Sequence, residues 1–330
     1  MPDMSGAQRI AAVEVFAPAR LHFGFLDLDG GLGRRFGSLG LAIDGFGTRL
    51  RLERAARPAA SGPGAARALD CVARAAKAFN LSPNVSLAVT EAIPEHAGFG
   101  SGTQLALAAA VALTRLEGAS AAMSEIAAVA GRGARSGIGI GLFERGGFIV
   151  DGGRRPEGGA APVIARLPFP RDWRLVLLLD PTRQGLYGSG ETSAFAALPP
   201  FPPGLAGRLC RQVLLRLLPG LAEWDFAAVS QALGAIQSEL GDYFSAAQHG
   251  RYSSPAVAAA LGWAAAQGVA GIGQSSWGPT GFALVESEER ARSLAEALGR
   301  RFASDGTLSL HIVAGLNRGA DISITPRSEP

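Results

Sequence analysis

The chain has 330 residues, 48% of them hydrophobic and 18% charged, with 31 Lys+Arg against 28 Asp+Glu for a net charge of +3. That length favours two domains with sizeable cores, and near-balanced charge without basic runs interleaved with aromatics argues against a nucleic-acid partner. Cys71 and Cys210 are too few for a disulfide framework or zinc cluster, no apolar run nears the roughly 18 residues that span a bilayer, and no basic-then-apolar leader opens the chain, so a soluble cytoplasmic protein is expected.

Apolar–polar alternation predicts strands over 10–16 and 48–53, bracketing a glycine-rich 26–47 segment read as an extended loop or hairpin. A helix over 65–79 and a strand over 85–89 follow, then a long Ala/Leu helix over 104–116 and a shorter one over 124–131. Residues 147–153 read as a buried strand. The polar, Gly- and Pro-punctuated stretch 154–162 marks a boundary, giving domains 1–165 and 166–330. The second half opens with a strand over 174–180, whose apolar run predicts a central place in a sheet. Helices over 205–218, 226–246 and 256–266, a strand over 282–285, a helix over 288–302 and a strand over 308–313 complete an α+β pattern.

Three glycine-rich loops carry the chemistry. The first, Pro94-Glu95-His96-Ala97-Gly98-Phe99-Gly100-Ser101-Gly102-Thr103-Gln104, feeds straight into the Ala/Leu helix. A flexible backbone delivered to a helix N-terminus suits phosphate or pyrophosphate. The others are Gly131-Arg132-Gly133-Ala134-Arg135-Ser136-Gly137-Ile138-Gly139 and Gly271-Ile272-Gly273-Gln274-Ser275-Ser276-Trp277-Gly278-Pro279. Three loops of small donor residues point to one polyanionic ligand. Lys77, the only lysine, lies in a predicted helix, which speaks against Schiff-base chemistry.

With these loops in place, the chain resembles the GHMP superfamily of galactokinase, homoserine kinase, mevalonate kinase and phosphomevalonate kinase. Pro18-Ala19-Arg20-Leu21-His22-Phe23-Gly24 resembles its N-terminal substrate motif, residues 94–103 its phosphate loop and 272–281 its C-terminal glycine motif. Gly273-Gln274-Ser275-Ser276-Trp277-Gly278-Pro279 and Gly147-Phe148-Ile149-Val150-Asp151-Gly152-Gly153 are similar to the β-ribofuranosylaminobenzene 5′-phosphate synthase branch. The resemblance implies a GHMP-kinase-like α+β fold, with an N-terminal mixed α/β domain, a ferredoxin-like C-terminal domain and a site in the cleft between them. The implied reaction joins phosphoribosyl pyrophosphate to 4-aminobenzoate or 4-hydroxybenzoate, releasing CO2 and pyrophosphate, on the way to tetrahydromethanopterin.

Ser101-Gly102-Thr103 stands where the kinases carry Ser-Ser-Ala, and their N-terminal lysine is absent, so an ATP-dependent kinase is the second reading. A non-catalytic sugar-phosphate binder is the third. For the first reading, Arg20, His22 and Asp27 form the candidate catalytic set. The 5-phosphate, pyrophosphate and ribose contacts would come from His96, Gly98, Gly100, Ser101, Gly102, Thr103, Arg135, Ser136, Gly137, Gln274, Ser275, Ser276 and Trp277.

Arg20 would hold the benzoate and Arg135 the 5-phosphate, although the sequence leaves open which arginine meets which anion. His22 either adjusts the acceptor's proton or is a packed strand residue, and Trp277 either stacks on substrate or anchors its loop. Mg2+ is the expected ion, with Asp27 or Asp151 as oxygen anchors, and no organic cofactor is required. Arg183, Tyr187 and Glu191 follow a buried strand as either cleft residues or an exposed turn. Small-molecule substrates are the expected partners, with no membrane, and the apolar helices of the second half would suit a homodimer.

Overall fold

The computed structural model describes residues 10–186, 188–248, 250–303 and 306–327. Strands β1 (Ile10–Asp27) and β2 (Phe36–Arg54) pair antiparallel along most of their length. The 26–47 stretch is therefore mostly strand, closed by a short turn. Gly40 serves packing there: a Cβ on it would lie 2.4 Å from Ile138 Cδ1.

The first half continues with β3 (Ala59–Ser61), α1 (Ala65–Phe79), β4 (Val85–Glu91) and α2 (Ser101–Leu116), then α3 (Met123–Val129), α4 (Ile138–Arg145), β5 (Phe148–Asp151) and β6 (Val163–Leu167). Helix α1 buries Ala68, Cys71, Val72, Ala75 and Ala76, one stripe at helical spacing. Helix α2 is buried almost all round because it is wedged between α1 and the β1–β2 pair.

The second half holds β7 (Arg174–Leu179), α5 (Gly188–Ala197), α6 (Pro203–Gln212), α7 (Leu218–Glu223), α8 (Phe226–Gln248) and α9 (Pro255–Ala266). Then come β8 (Gly271–Gln274), β9 (Gly281–Val285), α10 (Glu288–Phe302), β10 (Ser309–Ala314) and β11 (Asp321–Pro326). The single helix expected over 205–218 is α6 followed by a π-helical turn, Val213–Leu217, that runs into α7. The change of register falls just ahead of Pro219, which has no N–H to continue the ladder.

One sheet has the order β11-β1-β2-β4-β3, with β5 on the other half of β2 and β6 outside β5. The other is β10-β7-β9-β8, all antiparallel, with the ferredoxin-like strand–helix–strand–strand–helix–strand connectivity. As its apolar run predicts, β7 is central and buried. A division at 165 would cut β6, which belongs to the first sheet, and β11 returns to that sheet as well. The two halves also share a core: the Phe23 ring stacks on Phe148 at 6.0 Å and meets Phe282 edge-on at 5.0 Å. Among the described residues, no helix is long and apolar enough to cross a membrane.

Candidate active site

The first glycine loop enters α2 through left-handed backbone at Gly98 (φ 85°) and at the N-cap, Gly100 (φ 77°). At Gly98 a side chain is excluded twice, since a Cβ would also lie 2.3 Å from the Ser275 carbonyl oxygen. The amides of Thr103 and Gln104 donate back to the Gly100 carbonyl at 3.0 and 3.1 Å. Ser101 and Gly102 are thus left with N–H groups that have no intrahelical acceptor, at the positive end of a 16-residue helix.

Arg20, on β1, donates from Nη1 to the Gly98 carbonyl at 2.7 Å. Burial pulls its pKa down to about 10, opposed by the negative charge of Glu191, so it remains a cation at neutral pH. Its desolvation is offset only by a neutral carbonyl and one carboxylate, which leaves it poised to receive an anion.

Ser275 ties the third loop to both other strands of the site. Its Oγ accepts from the His22 amide at 3.0 Å and donates to the Gly98 carbonyl at 2.8 Å, while the Ser276 amide donates to the His22 carbonyl at 3.0 Å. His22 itself is 3% exposed, and its Nδ1 accepts from the Gly24 amide at 3.1 Å. The ring proton therefore sits on Nε2, which is buried without a hydrogen-bond partner among the described residues. Burial first, and then the nearby Arg20 charge, hold its pKa well below 6.5. His22 is thus held as a neutral imidazole that presents a buried N–H.

The second loop forms the opposite wall of the cleft and leads into α4, a helix the sequence reading missed. Gly139 lets α4 meet the first turn of α2, where a Cβ would come 2.9 Å from Thr103 Cγ2, and Gln104 Nε2 donates to the Gly139 carbonyl at 3.0 Å. Arg132 of this loop and Arg67 of α1 converge on that same turn: a carbon added at Gly102 would meet their guanidinium groups at 3.4 and 3.6 Å. Arg132 Nε is buried without a partner among the described residues, and burial lowers the pKa of this side chain. Arg67 is paired with Glu95 at 2.9 Å.

Several expected contacts take other roles. Arg135 lines the cleft but is ion-paired with Glu191 at 2.5 Å and bonded to Thr192 Oγ1 at 3.1 Å, both on α5. Ser136 and Gly137 are held from behind by Asp151, whose Oδ2 accepts from the Gly137 amide at 2.8 Å, from Ser136 Oγ at 3.3 Å and from Ser38 Oγ. Its Oδ1 accepts from the Gly153 amide at 3.0 Å. Asp27 closes the turn after β1, accepting from the Asp29 and Gly30 amides at 2.8 and 3.1 Å.

Asp151 thus engages both carboxylate oxygens with the chain itself, whereas Asp27 engages Oδ1. Among the described residues no group of three or more His, Cys, Asp or Glu is arranged to hold a metal ion, whereas Mg2+ is commonly held by one or two carboxylates together with substrate phosphates.

The His96 carbonyl accepts from the Gly185 amide at 2.8 Å, which seats the 180–186 segment over the first loop. Gln274 lies away from the arginine cleft, its carboxamide bonded to Ser253, Gln248 and the Ser276 carbonyl. Trp277 is buried edge-on against Phe195 at 5.2 Å and Phe244 at 4.8 Å, an anchor that also walls a cavity. Arg183 is exposed, Glu191 lines the cleft, and Tyr187 lies outside the described residues. Sequence reasoning missed Arg67 and Arg132. Arg132 stood inside a loop already singled out, whereas Arg67 in an alanine-rich helix gave no signal.

The two sheets and the loop that opens α2 are the GHMP architecture. Residues 65–144 match the family described as GHMP kinases N terminal domain, and residues 217–304 that described as GHMP kinases C terminal. Similar solved structures include homoserine kinase from Cytophaga hutchinsonii (17% identity, covering 98% of this chain and 100% of that one, TM-score 0.64). Mevalonate diphosphate decarboxylase from Staphylococcus aureus is another (13% identity, 95% and 98% covered, TM-score 0.66). At such identities the likeness is one of fold.

The chain is 32% identical over 320 residues to beta-ribofuranosylphenol 5'-phosphate synthase of Archaeoglobus fulgidus, covering 93% of this chain and 98% of that protein. It is 28% identical to the Methanothermobacter thermautotrophicus protein of the same name, covering 92% and 96%. The chain belongs to the beta-ribofuranosylphenol 5'-phosphate synthase family within the GHMP superfamily.

Proposed function

We propose that this protein condenses phosphoribosyl pyrophosphate with a para-substituted benzoate, releasing CO2 and pyrophosphate, in tetrahydromethanopterin biosynthesis. The relatives' names specify a ribosylphenol, which favours 4-hydroxybenzoate as the acceptor. The observation that carries the reading is the cation-rich turn where Arg20, Arg132 and Arg67 surround the open N-terminus of α2.

In this reading the diphosphate lies against the Ser101 and Gly102 amides and the arginines, whose fixed donors stabilise charge as the C1–O bond breaks. The electron pair leaves with pyrophosphate, and the ring carbon bearing the carboxylate forms the new C–C bond to ribose C1. The C–CO2 bond then breaks, CO2 departs, and its electrons restore the aromatic ring. The para oxygen supplies the electron push, so the chain need only bind, orient and exclude water. Mg2+ enters the proposal only as the counter-ion that the diphosphate brings with it.

The test is incubation with phosphoribosyl pyrophosphate, Mg2+ and carboxyl-labelled 4-hydroxybenzoate or 4-aminobenzoate, counting CO2 against pyrophosphate. Equal release of both supports the proposal. ADP formation from ATP and a small alcohol, with no CO2 from either benzoate, would replace it with a kinase.

A further inference from the structure

A second recess adjoins the arginine cleft, and Ala134 and Arg135 of the second glycine loop line both. It has a volume of about 450 Å3, and its lining sets Arg34, Arg35, Arg135, Arg154 and Arg155 against a single acid, Asp29. Arg135 is matched by Glu191 at 2.5 Å. Among the described residues, Arg34, Arg35, Arg154 and Arg155 meet no carboxylate within ion-pair distance.

Backbone bonds bring these like charges together. Arg35 and Arg154 exchange both main-chain hydrogen bonds at 3.0 Å, a lone antiparallel bridge. Such a pair has its Cα atoms about 5.5 Å apart and its side chains on one face, where like charges destabilise it. Gly153 permits the approach: it takes left-handed backbone at φ 70°, and a Cβ there would lie 2.7 Å from the Arg35 carbonyl oxygen. Three of the guanidinium groups are then fixed by carbonyls. Arg34 Nη1 donates to Gly153 at 2.8 Å, Arg35 Nε to Leu28 at 2.7 Å and Arg154 Nη1 to Ala134 at 2.7 Å. One hydrogen bond holds each group in place and leaves further N–H donors on it.

From this arrangement we infer that the recess is a second anion site, built for a phosphate monoester, and that its occupant is the 5-phosphate of phosphoribosyl pyrophosphate. The inference rests on the reading above for the identity of the substrate. Guanidinium forks match phosphate oxygens, and four unmatched cations call for a dianion in preference to a carboxylate. The diphosphate has its place by Arg132 at the α2 turn. Two residues along the same loop, Ala134 takes the hydrogen bond from Arg154, so at most about 7 Å of backbone separates the two positions. A ribose with a diphosphate on C1 and a phosphate on C5 bridges such an interval. Arg135, neutralised by Glu191, is then a wall common to both sites, and its unpaired neighbours take the role that its place in the loop suggests for it.

The experiment titrates ribose 5-phosphate, inorganic phosphate, inorganic pyrophosphate and phosphoribosyl pyrophosphate into the full chain by calorimetry, with no benzoate present. Arg35→Gln combined with Arg155→Gln removes two exposed cations and keeps the backbone bridge, and Arg132→Ala removes a cation from the α2 turn. The double variant should weaken ribose 5-phosphate and phosphoribosyl pyrophosphate by about tenfold or more, and pyrophosphate by less than about threefold. Arg132→Ala should weaken pyrophosphate more than ribose 5-phosphate. A mere loss of net charge would weaken pyrophosphate, the more highly charged anion, at least as much as the monoester, and that result would overturn the inference.

If the double variant weakens inorganic phosphate and ribose 5-phosphate while phosphoribosyl pyrophosphate binds as before, the recess holds a free phosphate and the assigned occupant is wrong. If all four anions keep their wild-type constants, the recess is a solvated patch and the inference falls, while CO2 release by wild type leaves the functional reading standing. If phosphoribosyl pyrophosphate binds through the recess but no benzoate yields CO2, the reaction falls and the anion site stands.

Discussion

The Arg20 guanidinium donates to the Gly98 carbonyl at 2.7 Å, so the cation that faces the cleft also fixes the curve of the loop that lines it. Charge and shape at the anion site are set by one side chain. Arg20 is buried and its pKa is drawn down to about 10 by desolvation, a cost that a bound anion would offset.

Arg20→Lys should therefore fail despite keeping a positive charge. A single ammonium cannot hold the Gly98 carbonyl and still present a planar pair of donors, so kcat/KM for phosphoribosyl pyrophosphate should fall by about 2–3 kcal/mol, roughly 30- to 150-fold. Steady-state kinetics decides it, and a change under twofold would remove Arg20 from the site.

Arg132 and Arg135 stand in one loop and should behave differently. Arg132 is poorly hydrated and has an unpartnered Nε at the α2 turn, whereas Arg135 is already matched by Glu191. Arg132→Ala is expected to raise the phosphoribosyl pyrophosphate KM by about tenfold or more, and Arg135→Ala by clearly less. The reverse order would place the diphosphate nearer α5.

Asp151 and Asp27 separate stability from metal dependence. Asp151→Ala strips four donors of their acceptor behind the second loop, and its cost should be about 2–4 kcal/mol in denaturant titration. Asp27→Asn retains an acceptor for the turn amides and should stay within about 1 kcal/mol of wild type. Neither should shift the Mg2+ concentration giving half-maximal activity by more than the loss of folded protein explains. A large shift with Asp27→Asn would make it a metal anchor.

His22 gives the stability curve an acid limb. Burial, with Arg20 adding to it, depresses its pKa, so below pH 6.5 the unfolded chain takes up a proton that the native protein refuses. Its contribution is complete above pH 6.5 and is lost as pH falls toward the native pKa, at a slope of at most about 1.4 kcal/mol per pH unit. Urea titrations of wild type and His22→Asn between pH 7.5 and 5 should converge as pH falls, and parallel curves would contradict the assignment.

How much of this was legible in the sequence depended on whether local pattern and tertiary need agreed. Helices α1 and α10 show clear apolar stripes, and Ser287 caps α10 through the Arg290 amide at 3.1 Å, so both lie where periodicity places them. Strand β2 and helix α4 do not, because Gly40 and Gly139 look like loop residues until the side chains pressed against them, Ile138 and Thr103, are known. That the first glycine loop opens α2 was plain from its spacing with the helix. The partners of Asp27 and Asp151 were not legible, because a carboxylate's partners cannot be read one-dimensionally and the amides that engage them are set by turns. Arg67 was invisible since only the fold brings α1 to the cleft. The arginine recess was equally hidden, since only the fold sets Arg34 against Gly153, 119 positions further along the chain.

The return of β11 to the first sheet has a practical side. Its residues 321–326 cover the outer rim of β1 from Ile10 to Phe16. An N-terminal half expressed by itself would carry that rim bare, with unsatisfied amides and carbonyls inviting other chains to zip on. Separating the halves would bare that rim together with the core shared by Phe23, Phe148 and Phe282, and an aggregate is the expected product.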